Sequence, residues 1–547
     1  MSAPAPAAAA AASNDHFATT AAGTPYDARA ANAVLIVVAL MALMVTYVET
    51  MVIPSFGAFE TFFNYPPATT VVWIISAYLL VGTVATPIFG KLGDKYGKKR
   101  MMLIVMSLYA VAVSLAGFSP NIGQAFGLDR ANQIYVLIGI RAFQGLGMGM
   151  FPLAFAMLPE VFPAARVGTA QGIVSGMFAA GAAVGLVGGG YIAYEFGWQL
   201  TYHTVIPVAV VLVILAYFIL RESPYLHPAA IDVPGIASLG IALATALFGI
   251  TEGAYWGWGS VAAVHWGGVP VGVVQFFVLA LVATAFFVWW ELRTPNPVVS
   301  FSALKQRNIW VSNVNGVFVG VGMFLVFVGL VILIEYNYPP GFGYNDFDMG
   351  LSALPAALGM LAFAPLWGRW IGKAGPKPVT LAGFAIMGLG ALGLVIFHAN
   401  VYEVSLFTIP ALVGNVAILI AMSNIIVLSV GRHELGIQTG MNQTFRNLGS
   451  AVGPVLAATI LASFLTPYVI TLPPPAPPVT VQIYSNFGFQ LVFAVIAILS
   501  LVGFGLSLLL RNYRFLADGS RSDAAAAAPD AGAARSEEPA LAAGSAR

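Results

Sequence analysis

Long apolar stretches alternate with short polar or Gly/Pro-rich breaks along most of the chain. Fourteen stretches lie near 33–55, 70–90, 101–118, 133–156, 168–193, 204–220, 235–253, 268–290, 310–334, 349–368, 378–397, 403–430, 436–466 and 487–510. Each is close to or longer than the roughly 20 apolar residues that a helix needs to cross the hydrocarbon core. Backbone polar groups in lipid must find partners inside the protein, so runs of this length are helices. The strands of a membrane barrel would instead alternate residue by residue. The pattern therefore predicts an all-α integral membrane fold with 14 transmembrane helices. The segment 467–485 reads as a long proline-rich loop. Residues 1–32 and 513–547, rich in Ala and Pro, read as disordered ends. No basic residue precedes the N-terminal Ala-rich stretch, which therefore does not resemble a signal peptide.

Composition strengthens this picture. Of the 547 residues 59% are hydrophobic and only 8% are charged, with a mean hydropathy of +0.87. A soluble domain carries about 25% charged residues, so no water-facing surface can be built here. A net charge of +1 offers nothing to nucleic acid, and the absence of cysteine excludes disulfides, thiolate metal sites and cysteine catalysis. His16, His203, His227, His265, His398 and His433 are scattered without metal-ligand spacing, and no nucleotide-binding P-loop is present. No metal or cofactor is expected, and no Ser/His/Asp constellation suggests an enzyme.

Charge also orients the helices. With the N-terminus in the cytoplasm, 20 of the 23 Lys and Arg fall on the cytoplasmic side, Arg130 falls outside, and Arg141 and Arg446 fall within spans. Removing or adding one span would scramble this positive-inside asymmetry. Both termini are then cytoplasmic, in a multi-pass protein of the plasma membrane.

The chain repeats itself. TPIFGKLGDKYGKK at 86–99 is echoed by APLWGRWIGKAGPK at 364–377, with Pro87, Gly90 and Gly97 matching Pro365, Gly368 and Gly375. GAAVG at 181–185 is echoed by GSAVG at 449–453. Two six-helix bundles, 33–221 and 310–512, with an inserted helix pair and linkers at 222–309, account for both echoes. Repeated halves with a midplane site between them are a transporter arrangement.

The run Gly90-Lys-Leu-Gly-Asp94-Lys-Tyr-Gly97-Lys98-Lys99-Arg100 resembles the signature between helices 2 and 3 of the major facilitator superfamily, G-x-L-x-D-x-x-G-[RK]-[RK]. Trp73-Ile-Ile-Ser-Ala-Tyr78, Arg141-Ala-Phe-Gln144-Gly145-Leu-Gly147, Gly197-Trp198, and the Glu252…Gly257-Trp258 and Glu291…Pro297 segments narrow the resemblance to the fourteen-helix drug:proton antiporter branch. The resemblance covers about residues 33–512. It implies that Gly90, Asp94, Gly97, Lys98, Lys99 and Arg100 form a conformational latch between the halves. The basic residues also suit anionic lipid heads. Gly372 stands where the second copy would need an acid, so only the first copy should latch strongly.

Four further groups carry candidate chemistry. An Arg at a helix centre costs ~2.5–3.5 kcal/mol on insertion scales, so Arg141 should face a cavity or a partner, and Gln144 at i+3 shares its face. The resemblance implies a coupling role for Arg141; backbone carbonyls could equally hold it. Glu49, beside Thr46 and Thr50, is desolvated at its position in the first span, which suits reversible protonation. It lies one residue away from the acid position of the family, so it is either the proton carrier in a shifted place or an acid near the outer mouth. Asn442, Arg446 and Gly449 fall at i, i+4 and i+7 and should line a cavity or a helix contact, with Asn313, Asn315 and Asn424 as companions or buried glue. Gly181, Gly185, Gly189 and Gly190 permit close helix packing and fit the antiporter motif, except that Leu186 replaces its proline. Glu252 and Glu335 sit at outer helix ends, where water should reach them.

Together these features predict a monomeric secondary transporter whose partners are a small-molecule substrate, protons and membrane lipid. Export of amphipathic or cationic compounds against inward proton flow is the leading expectation. A metabolite importer or facilitator, and a membrane receptor or lipid-handling protein, are the alternatives.

Overall fold

The computed structural model describes residues 19–20, 24–64, 69–223, 226, 230–295, 297–299, 301–430, 435–470, 478–515 and 521–523. Most of the two ends expected to be disordered, and His16, His227 and His433, lie outside these residues. Fourteen helices among the described residues are long and apolar enough to cross a membrane. They are α1 (Ala28–Thr50), α2 (Thr69–Tyr96), α3 (Lys98–Ala116), α4 (Gln133–Val161), α5 (Ala164–Phe196), α6 (Trp198–Ile219) and α7 (Val233–Trp256). The remainder are α8 (Val273–Glu291), α9 (Arg307–Glu335), α10 (Asp346–Ala374), α11 (Pro376–Ile396), α12 (Val401–Ser429), α13 (Leu435–Ser463) and α14 (Asn486–Leu508). Several run past their apolar core. α2 continues through Gly90-Lys-Leu-Gly-Asp-Lys to Tyr96, because hydropathy marks the width of the hydrocarbon rather than the end of the helix.

Helix ends follow local chemistry. α1 begins at Ala28 because the Asp27 carboxylate accepts from Arg29 N at 3.0 Å and Ala30 N at 3.3 Å. After α1 the chain passes through a tight turn at Ile53–Ser55 into a short helix, Phe56–Phe63. The segment expected to be one long loop contains instead an antiparallel hairpin, β1 (Leu465–Ile470) with β2 (Val479–Tyr484). Its β-branched and aromatic residues favour pairing, and residues 471–477 between the strands lie outside the described residues.

The two groups of six helices use one pairing scheme. α1 packs on α5, α2 on α4 and α3 on α6; correspondingly, α9 packs on α13, α10 on α12 and α11 on α14. The groups meet through α2 with α13 and α5 with α10, while α7 and α8 pair with each other and α7 lies against α13 and α2. Thr459 on α13 donates to Ile250 O on α7 at 3.1 Å. Over its most apolar stretch α9 is 89% buried and α8 only 22%, so α9 is central and α8 lies at the periphery.

One end of the bundle carries the basic loops and is called the basic end; the opposite end is the far end. At the basic end the repeat is written in helix capping. Gly97 and Gly375 take positive φ, 103° and 84°, just before α3 and α11. Beside Gly97, the Glu222 carboxylate accepts from Lys99 N and Arg100 N, both at 3.1 Å. Beside Gly375, Asn512 Oδ1 accepts from Lys377 N at 3.2 Å. An acceptor following the sixth helix of each half thus satisfies orphan N–H groups of the third. In Glu222→Ala the Lys99 and Arg100 amides lose that acceptor, at a cost of about 1 kcal/mol. Hydrogen exchange of these amides should quicken by roughly fivefold, and Glu222→Gln should lose less; unchanged exchange in Glu222→Ala would refute the capping role.

Candidate functional site

Between the halves, on the basic-end side, lies a cleft of about 520 Å³, part of it open to solvent. α4 supplies Phe151 and Phe155, α5 supplies Gln171, Ser175 and Phe178, α12 supplies Ser423, and α13 supplies Thr439, Asn442, Gln443 and Arg446. Among the described residues Arg446 is the one charged residue in the lining, and its guanidinium stands over the Phe178 ring at 4.4 Å. Asn442 reaches away to α9, donating to Ser312 O at 3.1 Å and Asn313 Oδ1 at 3.2 Å. Gln443 donates to Asn447 at 2.9 Å, and Asn447 donates across the halves to Thr86 at 3.3 Å.

Glu49 is buried, 2% exposed, and its Oε2 has no hydrogen-bond partner. The positive charges that act on it are Arg446, from the other half, and Arg141, from its own. Neither forms an ion pair within 4.0 Å of it among the described residues. Arg141 is fully buried; its Nε donates to Ile74 O at 3.0 Å, its Nη1 to Gln144 Oε1 at 2.8 Å, and its plane faces the Tyr78 ring at 4.6 Å. Its Nη2 and Gln144 Nε2 remain unpartnered. Backbone carbonyl, amide and aromatic face thus hold Arg141 rigid while part of its donor capacity points to no fixed acceptor. Such an arrangement can answer a change of charge at Glu49 without rebuilding the helices.

Four residues singled out from the sequence, Glu49, Arg141, Gln144 and Arg446, therefore form one buried cluster that spans both halves. Asn442 shares the cleft with Arg446 but spends its donor on α9. Asn315 donates to Ser507 at 2.9 Å and Asn424 to its own helix at Ile420 O, so both act as internal glue. Gln171, Ser175 and Phe178 were not singled out, although their spacing of i, i+4 and i+7 on α5 is the same signal that marked Asn442 and Arg446.

The Major Facilitator Superfamily profile matches residues 38–454. The chain belongs to the major facilitator superfamily. Among curated relatives of this major facilitator protein, the multidrug transporter protein MdtP of Bacillus subtilis is 24% identical over 431 residues, 77% of this chain and 73% of that protein. The tetracenomycin C resistance and export protein of Streptomyces glaucescens is 24% identical over 433 residues, 78% of this chain and 76% of that protein. Among solved structures, the human organic anion transporter MFSD10 (TETRAN) matches with a TM-score of 0.58 at 15% identity, covering 87% of this chain and 99% of that one. At that identity the likeness concerns the fold.

In this major facilitator chain the 90–100 segment is tied to its own half and to the linkers that flank the inserted helix pair. Lys98 Nζ bonds Glu160 Oε1 at 2.8 Å and stands 3.5 Å from Asp94, which is 44% exposed. Ser223 also donates to Glu160 Oε1, at 2.7 Å. Gly90 faces Pro152, and Lys91 donates to Pro297 O at 3.1 Å, beyond the inserted pair. Among the described residues no ion pair joins Asp94 to the second half. Gly181, Gly185 and Gly189 face the α1 backbone at Leu43, Tyr47 and Met51, and Gly190 faces Asp346 at the start of α10. Glu335 departs from expectation. Its Oε1 is sealed from solvent and its Oε2 accepts from Gly57 N at 3.1 Å, because the chain after α9 folds back, with Phe342 N on Leu333 O and Tyr344 N on Ile334 O.

Proposed function

We propose that this major facilitator protein exports amphipathic small molecules in exchange for protons by alternating access. The basic end faces the cytoplasm, and the membrane is the plasma membrane. The carrying observation is the position of Glu49: a buried, unpaired carboxylate between two cations supplied by opposite halves. Ionised Glu49 attracts Arg446 across the interface as well as Arg141 within its half. Protonation removes both attractions, so the state of one proton biases how the halves meet at mid-membrane. The export-named relatives and the fourteen-helix plan support the direction.

The lining refines the substrate. A cleft whose charged group is Arg446, flanked by Phe151, Phe155 and Phe178 and by Gln and Ser side chains, suits apolar molecules that present hydrogen-bond acceptors. It suits a permanent cation less well, because Arg446 repels it. The latch role of Asp94 and the basic cluster belongs to the state in which the basic end is closed, whereas here the cleft occupies that side.

Reconstituted vesicles with an imposed pH gradient test the proposal. Neutral and anionic amphipathic dyes should be transported against their gradient, with a protonophore abolishing accumulation and an equally lipophilic quaternary cation transported less. Accumulation that persists with the protonophore present would refute proton coupling, and a preference for the cation would refute the reading of the lining.

A further inference from the structure

The inserted helix α7 carries an acid that the rest of the protein does not satisfy. Glu252 is partly exposed and makes no hydrogen bond or ion pair among the described residues. It stands one turn before Trp256, the last residue of α7, near the far end. Its direction follows from its neighbours. Phe248 meets Trp73 of α2 at 6.2 Å between ring centroids, and a Cβ at Gly249 would meet Phe277 and Phe276 of α8 at 3.2 and 3.3 Å. Residue 252 lies at i+4 from the first and i+3 from the second. At about 100° per residue its side chain therefore leaves α7 between α2 and α8. The opposite face of α7, with Leu247 and Thr251, is buried, and Thr459 of α13 reaches Ile250 O from there. Glu252 thus looks out of the bundle, into a lateral groove floored by α7 and walled by α2 and α8.

At this level the groove is aromatic. Phe248 and Trp256 flank Glu252 at i−4 and i+4, with ring centroids 6.0 Å apart. Trp73 lies in the first two turns of α2 and Phe276 in the first turn of α8, and both helices start at the far end. Phe276 meets Phe248 at 4.6 Å and Trp256 at 6.4 Å, and all four rings are partly exposed. Aromatic residues at helix ends are common where protein meets the headgroup layer. The carboxylate is what such a belt does not explain. A charge beside hydrocarbon is costly without a partner, and the groove opens toward lipid, so the membrane is the source of one. Among headgroup chemistries a phosphate has the wrong sign. An ammonium fits: it gives the carboxylate charge-assisted hydrogen bonds and is attracted to the surrounding ring faces. An ethanolamine headgroup keeps its N–H donors, whereas the methylated ammonium of choline has lost them, so the carboxylate selects the former.

We infer that Glu252, flanked by Phe248 and Trp256 and walled by Trp73 and Phe276, binds the ammonium headgroup of an ethanolamine lipid in the far-end leaflet. A lipid seated there ties the peripheral α8 to α2 through α7, which itself touches both halves. The inference holds whatever molecule the central cleft carries, so it does not rest on the exchange reading.

The test counts lipids bound to delipidated full-length protein by native mass spectrometry, with ethanolamine and choline lipids of identical acyl chains supplied in equal amounts. Both lipids carry the same phosphate, so contacts made by the basic loops cancel and only the ammonium differs. The parent should bind the ethanolamine lipid about tenfold more tightly than the choline lipid. Glu252→Gln keeps the size but loses the charge and should abolish that preference, while Glu252→Asp should keep part of it. Phe248→Leu, a second route in case Glu252→Gln fails to fold, should weaken it. Glu403→Gln removes an acid from the first turn of α12 at the same end and should leave it unchanged. No preference in the parent, a preference for the choline lipid, a preference untouched by both Glu252→Gln and Phe248→Leu, or an equal loss in Glu403→Gln would overturn the inference.

Discussion

Replacing Glu49 by Gln is expected to abolish uphill export. Gln keeps the size and the buried position but carries neither proton nor charge, so the Arg446 and Arg141 charges on either side lose the one group whose state can change. The magnitude follows from coupling. One proton moving down a gradient of about two pH units releases about 2.7 kcal/mol, enough to sustain roughly a hundredfold substrate ratio. The parent protein should approach that ratio in vesicles if one proton moves per cycle, whereas Glu49→Gln should return it to one. Downhill exchange of labelled for unlabelled substrate should continue, because the cleft residues are untouched. Arg446→Gln removes the partner across the interface and should weaken coupling as well, with a double variant no worse than Glu49→Gln alone, as expected for groups that act as a unit. A gradient-driven ratio that survives Glu49→Gln would place the coupling proton elsewhere.

Much of this cluster was legible before any coordinates. An acid and an arginine within apolar helices are conspicuous because lipid does not tolerate them, so Glu49 and Arg141 mark themselves, and a helical stripe marks Arg446. The repeats at 86–99 and 364–377 pointed to two halves, and the same helix pairings recur in both. What remained hidden depends on chain that leaves the helical register. Glu335 reads as an acid at a wet helix end until the segment 336–345 is seen to fold back over it. Glu222 and Asn512 read as polar residues after a span, because nothing local says which distant helix end they will cap. The hairpin of β1 and β2 was masked by the prolines between its strands, which outweigh the alternating Val, Thr and Ile on either side. Hydropathy locates what lipid forbids; it is silent on what the loops enclose.

Helix α5 offers the sharpest contrast between holding a half together and closing a gate. On one face Gly181, Gly185 and Gly189 meet α1 at Leu43, Tyr47 and Met51, so both helices repeat the contact every fourth residue. A Cβ at Gly189 would lie 2.5 Å from both Cα and O of Met51. These are backbone atoms that no rotamer change can move aside, and the helices must separate instead. Gly189→Val should therefore cost at least the roughly 1–3 kcal/mol typical of overpacking, and should show as loss of monodisperse protein or a markedly lower thermal midpoint. The next residue faces the other way. A Cβ at Gly190 would meet the Asp346 carbonyl on α10, across the seam between the halves, and that seam can relieve the clash by opening. Gly190→Ala should thus fold with a thermal midpoint near that of the parent. Its population with the far end open should rise about tenfold if the clash is worth about 1.4 kcal/mol, read from the distance between spin labels at Phe126→Cys and Tyr402→Cys, exposed far-end positions in opposite halves of a chain without native cysteine. Equal destabilisation by both substitutions, or an unaltered distance distribution in Gly190→Ala, would show that the α5–α10 contact is part of the rigid scaffold rather than the gate.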